Sequence, residues 1–150
     1  IDGATVAMNA YGTKVPAAEM GRMGLLDMLI NNTDRHEGNF MFKGGHLIAI
    51  DHGLSFKSGE SKVNTDVAKK AMRNAEQWGD RHGSQTANGY RYKMIIPKVY
   101  KDRLKAFVSD RGFGRFSGSV KTLVDPLILS TMKERAVDLL NNWDEYFDTI

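Results

Sequence analysis

The sequence predicts a mainly helical α+β domain that carries one short β-hairpin. Three observations lead there. Long stretches repeat their apolar residues every three or four positions, the period of an amphipathic helix. One pair of short apolar runs flanks a Gly-Gly dipeptide, the mark of a hairpin. Over 150 residues, 41% hydrophobic against 26% charged suits a single ordinary globular domain and excludes a disordered chain.

Residues 1–16 are small, polar and glycine-bearing, and read as an extended lead-in segment with one short strand at Thr5–Ala10. Pro16 stops that segment and suits the first turn of a helix. From Ala17 the residues Met20, Met23, Leu25, Leu26, Leu29 and Ile30 predict a helix with one apolar stripe. Asn31-Asn32-Thr33-Asp34 ends it, because these side chains compete for backbone hydrogen bonds. Phe40–Phe42 and Leu47–Ile50 then form the hairpin around Lys43-Gly44-Gly45-His46, and Asp51-His52-Gly53 closes its second strand. A short continuation at Leu54–Phe56 runs into a polar loop.

Asn64–Trp78 is the next helix, with Asn64 or Thr65 as its N-cap and Val67, Ala68, Ala71, Met72 and Ala75 on its buried side. Residues 79–92 read as a mobile loop. A helix is expected from Pro97 to Val108, burying Val99, Leu104, Phe107 and Val108. Gly112, Gly114 and Gly118 point to another loop. Val120–Asn142 is expected to be helical, broken or kinked at Pro126. Trp143, Tyr146 and Phe147 are expected to pin the C-terminus. The Met20, Met23 and Met28 stripe and both tryptophans, Trp78 and Trp143, read as core packing, and His46 and His82 as solvent-exposed turn residues.

Composition removes several functions. There is no cysteine, so disulfides, zinc-thiolate sites and thiol nucleophiles are excluded, and a reducing, cytoplasmic compartment is the expectation. No window approaches the roughly eighteen apolar residues of a membrane span, and the start has no signal-peptide pattern. The first residue is Ile1, so further residues upstream are expected. Net charge is +3, with Lys and Arg interleaved among acids, which is a solvated surface and not a nucleic-acid stripe.

The chemistry concentrates between Leu25 and Phe56, in Asp34, Asn39 and Asp51. A helix delivers the chain into a short polar loop, and a tight hairpin follows at once. The hairpin returns Asp51 toward the end of the loop, so an acid, an amide and a second acid can converge. Oxygen ligands of this kind suit magnesium, which keeps several waters and shares its site with phosphates. A carboxylate beside it can orient and deprotonate an attacking hydroxyl. The order Asp, four residues, Asn, hairpin, Asp-x-Gly is the layout of a phosphoryl-transfer loop.

Two segments carry a family likeness: Asn32-Thr33-Asp34-Arg35-His36-Glu37-Gly38-Asn39 and Ile50-Asp51-His52-Gly53-Leu54-Ser55-Phe56. They resemble the protein-kinase-like superfamily, closest to its phosphatidylinositol 3-/4-kinase-like branch, with a similar loop in HipA-like kinases. The resemblance covers Ala17–Phe56, and the rest matches only in being helical, as that family's C-terminal lobe is. It implies ATP and Mg²⁺ as cofactors and transfer of the γ-phosphoryl group to a hydroxyl on a protein Ser/Thr, an inositol lipid or a small molecule. It implies that Asp34 is the catalytic aspartate, that His36 contacts the γ-phosphate or shares the base role, and that Arg35 pairs with an acid or a phosphate. Asn39 would ligate magnesium, Asp51 would bridge magnesium to the phosphates, and Gly53 would allow the sharp turn after it. His52 reads as a neighbour of the site and not a ligand.

The N-terminal lobe of a kinase is not identifiable in this sequence. Gly12-Thr13-Lys14 lacks the glycine pattern of a phosphate loop. The phosphate lid, the strand lysine and its glutamate are therefore expected from outside this segment or from a partner chain. The competing reading is a non-catalytic interaction or structural module that kept the helical lobe. A His/Asp phosphohydrolase fits less well, since it needs more histidine ligands in a different order.

Overall fold

A computed structural model describes residues 5–6, 12, 14–44, 46–50, 60–120 and 122–150. Its elements run β1 (Thr5–Val6), α1 (Ala17–Ile30), β2 (Phe40–Lys43), β3 (His46–Ala49), α2 (Thr65–Trp78), β4 (Met94–Ile96), α3 (Lys98–Val108), α4 (Asp110–Val120), α5 (Pro126–Asn141), α6 (Trp143–Tyr146) and β5 (Phe147–Thr149). The fold is mixed and mainly helical, compatible with a kinase-like lobe.

Helix α1 is the hub. Pro16 sits at its N-cap without a side-chain cap, and Asp80, far along the chain, accepts a hydrogen bond from Ala17 N at 2.9 Å instead. The expected single apolar stripe is too narrow a description. Ala17, Met20, Gly21, Met23, Gly24, Leu25, Asp27, Met28 and Ile30 are all buried, because α2, β4 and α5 each cover part of the helix. Two glycines permit the closest approach. A Cβ on Gly21 would lie 2.1 Å from the Ile95 carbonyl oxygen, and one on Gly24 would lie 2.5 Å from Met94 Sδ.

Helix α2 starts where the sequence places it. Asn64 Oδ1 accepts from the backbone N–H of Asp66 and Val67, satisfying two donors that the first turn leaves open. Its far end buries Trp78 against the rings of Phe40 and Phe42, with centroids 6.1 and 5.7 Å away. The hairpin therefore lies on the end of α2. Its register pairs Lys43 with His46 across a two-residue turn, where Gly44 adopts a φ of 56° that favours glycine. β1 adds antiparallel to β2, with Thr5 opposite Phe42. The remainder of the expected Thr5–Ala10 strand lies outside the described residues.

The C-terminal half departs from expectation in three places. Gly112, Gly114 and Gly118 lie inside helix α4 and not in a loop. Ser109 Oγ caps it by accepting from Gly112 N at 3.1 Å, and Phe113 and Phe116, one turn apart, set their edges on Phe107. That aromatic contact outweighs the low helix propensity of glycine. The helical stretch expected over 120–142 is broken ahead of Pro126, one of the two outcomes expected there: α4 ends at Val120 and α5 begins at Pro126, where Asp125 Oδ1 accepts from Leu127 N at 2.7 Å and proline occupies the first turn, its missing N–H costing nothing. Val99 is 46% exposed, while Leu104 takes the buried position of α3. Finally, β4 and β5 form a parallel pair, Met94 opposite Phe147 and Ile96 opposite Thr149. All three β4 residues are buried, so they show no alternation to read. Trp143 and Phe147 do pin the C-terminus, their rings 4.4 Å apart, with Trp143 Nε1 donating to Thr149 Oγ1 at 2.8 Å. Trp78, Trp143 and the three methionines of α1 are buried, and His46 and His82 are exposed.

The two kinds of glycine separate in a stability measurement. Gly21→Ala must push α1 off β4 and is expected to lower the unfolding free energy by about 2 kcal/mol or more. Gly114→Ala adds a methyl to open space on a helix and is expected to raise it by about 0.5–1 kcal/mol. Urea denaturation of both variants checks this.

Candidate active site

The candidate site grows from the last turn of α1. Asn31 ends the helix in the left-handed conformation (φ 54°, ψ 51°), which asparagine tolerates better than most residues. The N–H groups of Asn31 and Asn32 both donate to the Asp27 carbonyl oxygen. The chain thus doubles back, and Arg35 lies over Asp27. Both are almost fully enclosed, Asp27 at 1% and Arg35 at 2% exposure. The guanidinium meets the carboxylate as a fork: Nε donates to Oδ2 at 3.0 Å and Nη2 to Oδ1 at 2.9 Å. Asn32 Nδ2 adds a hydrogen bond to the same carboxylate at 3.2 Å.

The remaining edge of that guanidinium fixes the hairpin. Arg35 Nη1 donates to the carbonyl oxygens of Asn39 at 2.8 Å and Ile50 at 2.7 Å. Ile50 N in turn donates to Asn39 O at 3.0 Å. The residue that begins the hairpin and the residue that ends it are held together from one cation. Asn74 on α2 donates to the Arg35 carbonyl oxygen at 3.4 Å, tying the same loop to the second helix. Arg135 on α5, fully buried, holds the chain further on, with Nε on Leu29 O at 2.8 Å and Nη1 on Glu60 O. Burial pushes the Arg135 guanidinium below its usual pKa, and the negative charge of Glu60 opposes that shift.

Within the loop, Asn39 is used twice. Its Oδ1 accepts from His36 N at 3.0 Å, and its Nδ2 donates to the Asp34 carbonyl oxygen. Asp34 N donates to Asn32 Oδ1 at 3.1 Å. These bonds leave the Asp34 and His36 side chains about half exposed, with His36 Nε2 3.7 Å from Asp34 Oδ2. Gly38 N donates to His36 Nδ1 at 3.0 Å. In the neutral ring the proton therefore belongs on Nε2, facing the Asp34 carboxylate. The histidine offers a donor to solvent, and Asp34 offers the acceptor.

Of the residues singled out from the sequence, the structure brings Asp34, Arg35, His36 and Asn39 into one loop but turns them two ways. Asp34 and His36 face outward, while Arg35 and Asn39 face inward. Arg35 takes an acid, Asp27, as its partner. Asp51, His52 and Gly53 lie outside the described residues, although Ile50, which is fixed, immediately precedes them. Asp27, Asn32 and Asn74 were not anticipated. Asp27 had a signal: it is the one acid inside the apolar run from Leu25 to Ile30.

The donors suit magnesium. Asp34 presents carboxylate oxygens, and the Asn39 amide oxygen keeps one lone pair beyond the bond from His36 N. The Nδ1 lone pair of His36 is occupied, which disfavours an imidazole-seeking ion such as zinc. Among the described residues no three His, Cys, Asp or Glu side chains cluster to hold an ion.

Breaking the central pair is expected to be costly. Arg35→Met strands a buried carboxylate and should lower stability by about 3–5 kcal/mol, and the double variant with Asp27→Leu should recover much of it. Both should speed hydrogen exchange at the Ile50 amide, since neither retains the bridge across the hairpin. Urea denaturation and amide exchange read the two effects separately.

The family model described as "Phosphatidylinositol 3- and 4-kinase" matches residues 8–85, which span α1, the loop, the hairpin and α2. Phosphatidylinositol 4-kinase gamma 6 of Arabidopsis thaliana is 46% identical over 56 residues, covering 29% of this chain and 9% of that protein. The chain thus spans about a tenth of the length of that curated relative. No solved structure matches it. With the matched segment spanning more than half of the chain and enclosing the whole loop, the chain belongs to the phosphatidylinositol 3- and 4-kinase family.

Proposed function

We propose that the chain forms the catalytic lobe of an ATP- and Mg²⁺-dependent phosphotransferase whose acceptor is a hydroxyl of an inositol lipid. One observation supports this above the others. Arg35 ties the carbonyl oxygens of Asn39 and Ile50 together, so Ile50, the last described residue of the hairpin segment, is held beside Asn39. Asp34 meanwhile stays open to solvent on the same loop. The family and the name of the relative favour lipid over a protein hydroxyl.

In this reading the Asp34 carboxylate accepts the proton of the acceptor hydroxyl as its oxygen bonds to the γ-phosphorus. The bond from that phosphorus to the β–γ bridging oxygen breaks, and ADP leaves. His36 Nε2–H lies beside Asp34 and donates to the phosphoryl oxygens. Asn39 Oδ1 and the Asp51 carboxylate would hold the magnesium that accompanies ATP, which would supply charge neutralisation at the phosphates. Arg35 acts through position, by holding the two ligand-bearing strands in register. The phosphate lid and strand lysine come from a separate lobe.

Calorimetric titration with Mg·ATP separates the two acids. Asp51→Ala is expected to weaken Mg-dependent binding by about tenfold or more, as loss of a direct ligand does. Asp34→Asn is expected to bind almost normally, while transfer to phosphatidylinositol in the protein carrying this chain falls by about 10²–10⁴-fold. Equal loss of binding in both variants, or in neither, contradicts these roles. No Mg·ATP binding by that protein would favour a non-catalytic module.

A further inference from the structure

A second cavity opens beside the catalytic loop and plays no part in the roles above. It has a volume of about 440 Å³, within the range of small-molecule sites. One wall is Thr33, the residue before Asp34. The other is α2 with its N-cap, through Asn64, Asp66, Lys69, Lys70 and Arg73. Three cations fall on five consecutive residues, against one acid. Among the described residues none of the three pairs with a carboxylate. Lys69 and Arg73 stand at i and i+4, and Lys70 and Arg73 at i and i+3, where like charges repel, while Asp66 stands three and four residues before the lysines and Glu76 three after Arg73. Packing offers no compensation, since Lys69 and Arg73 are exposed and Lys70 only half-buried.

This combination of a sized cavity, three clustered cations and a shared wall with the catalytic loop suits an anion. Arginine's fork and two ammonium groups suit phosphate oxygens in particular. We propose that this cavity is a subsite for a phosphate ester on the acceptor, which holds the acceptor's phosphate while its hydroxyl reaches Asp34. The term acceptor rests on the phosphotransferase reading. The phosphate recognition rests on the cavity alone. The same chemistry is present in the phosphodiester of an inositol-lipid headgroup and in a free inositol phosphate.

Two binding arms, both without nucleotide or metal, test it on the chain. One titrates myo-inositol 1-phosphate and follows the backbone amides of α2 by NMR. The other sediments the chain with phosphatidylcholine vesicles with and without phosphatidylinositol. The triple variant Lys69→Gln, Lys70→Gln, Arg73→Gln should weaken binding by about tenfold or more. The charge-keeping Lys69→Arg, Lys70→Arg variant, which leaves the Arg73 fork in place, should bind within about threefold of the parent. Far-UV circular dichroism checks that α2 is intact. Binding in the vesicle arm alone assigns the subsite to a lipid headgroup, and binding in the soluble arm assigns it to a free inositol phosphate as well. No binding by the parent chain in either arm, or a folded triple-glutamine variant that binds unchanged, overturns the proposal. Failure here leaves the Mg·ATP result standing, and failure of that titration leaves this one standing.

Discussion

Arg35 is the side chain on which the site depends. Burying a guanidinium at 2% exposure is unfavourable by several kcal/mol unless it is paired and fully hydrogen-bonded. Asp27 supplies the pair, and Asn32 takes up a further bond on the same carboxylate. Only with that charge compensated can Nη1 turn to the two carbonyl oxygens at the open end of the hairpin. Helix, loop and hairpin are then one unit. The close packing of α1 on β4 through Gly21 and Gly24 fixes the helix that carries Asp27, and so sets the position of everything above it.

The loop divides its labour by direction. Its inward residues are held by hydrogen bonds, Arg35 to Asp27 and to backbone carbonyls and Asn39 to backbone, with one Asn39 Oδ1 lone pair left over. Its outward residues, Asp34 and His36, retain exposed polar atoms. This is an economical way to hold reactive groups steady, because a side chain at the surface is only as well placed as the backbone beneath it. The basic face of α2 lies next to this loop, across the cavity from Thr33, so the rigid helix that anchors the loop through Asn74 also presents its cations toward the same opening.

Much of this was legible in the sequence where local chemistry decides. α1, the hairpin and α2 announce themselves through periodicity, Gly-Gly and an Asn cap, and the structure places them within a residue of the reading. What was hidden depends on partners distant in the chain. The parallel pair β4–β5 joins segments some fifty residues apart and buries β4 entirely, so neither alternation nor a turn marks it. α4 misled because glycine argues against a helix, whereas Phe113 and Phe116 gain more by packing on Phe107. At the site, the loop residues were visible as a motif, but the inward turn of Arg35 was not. It follows from Asp27, an acid placed in an apolar helix, whose meaning appears only once the chain doubles back at Asn31. The expected roles of Asp51 and Gly53 lie outside the described residues.

The central claim is that Arg35 holds Asn39 and the exit of the hairpin so that one metal ion is shared between them. Manganese in place of magnesium, added with ATP, broadens NMR signals near the bound ion. The account predicts selective broadening of the Asn39 side-chain amide and the Gly38 backbone amide, abolished by Asp51→Ala. Broadening centred elsewhere in the chain, or unchanged in the Asp51→Ala variant, would contradict it.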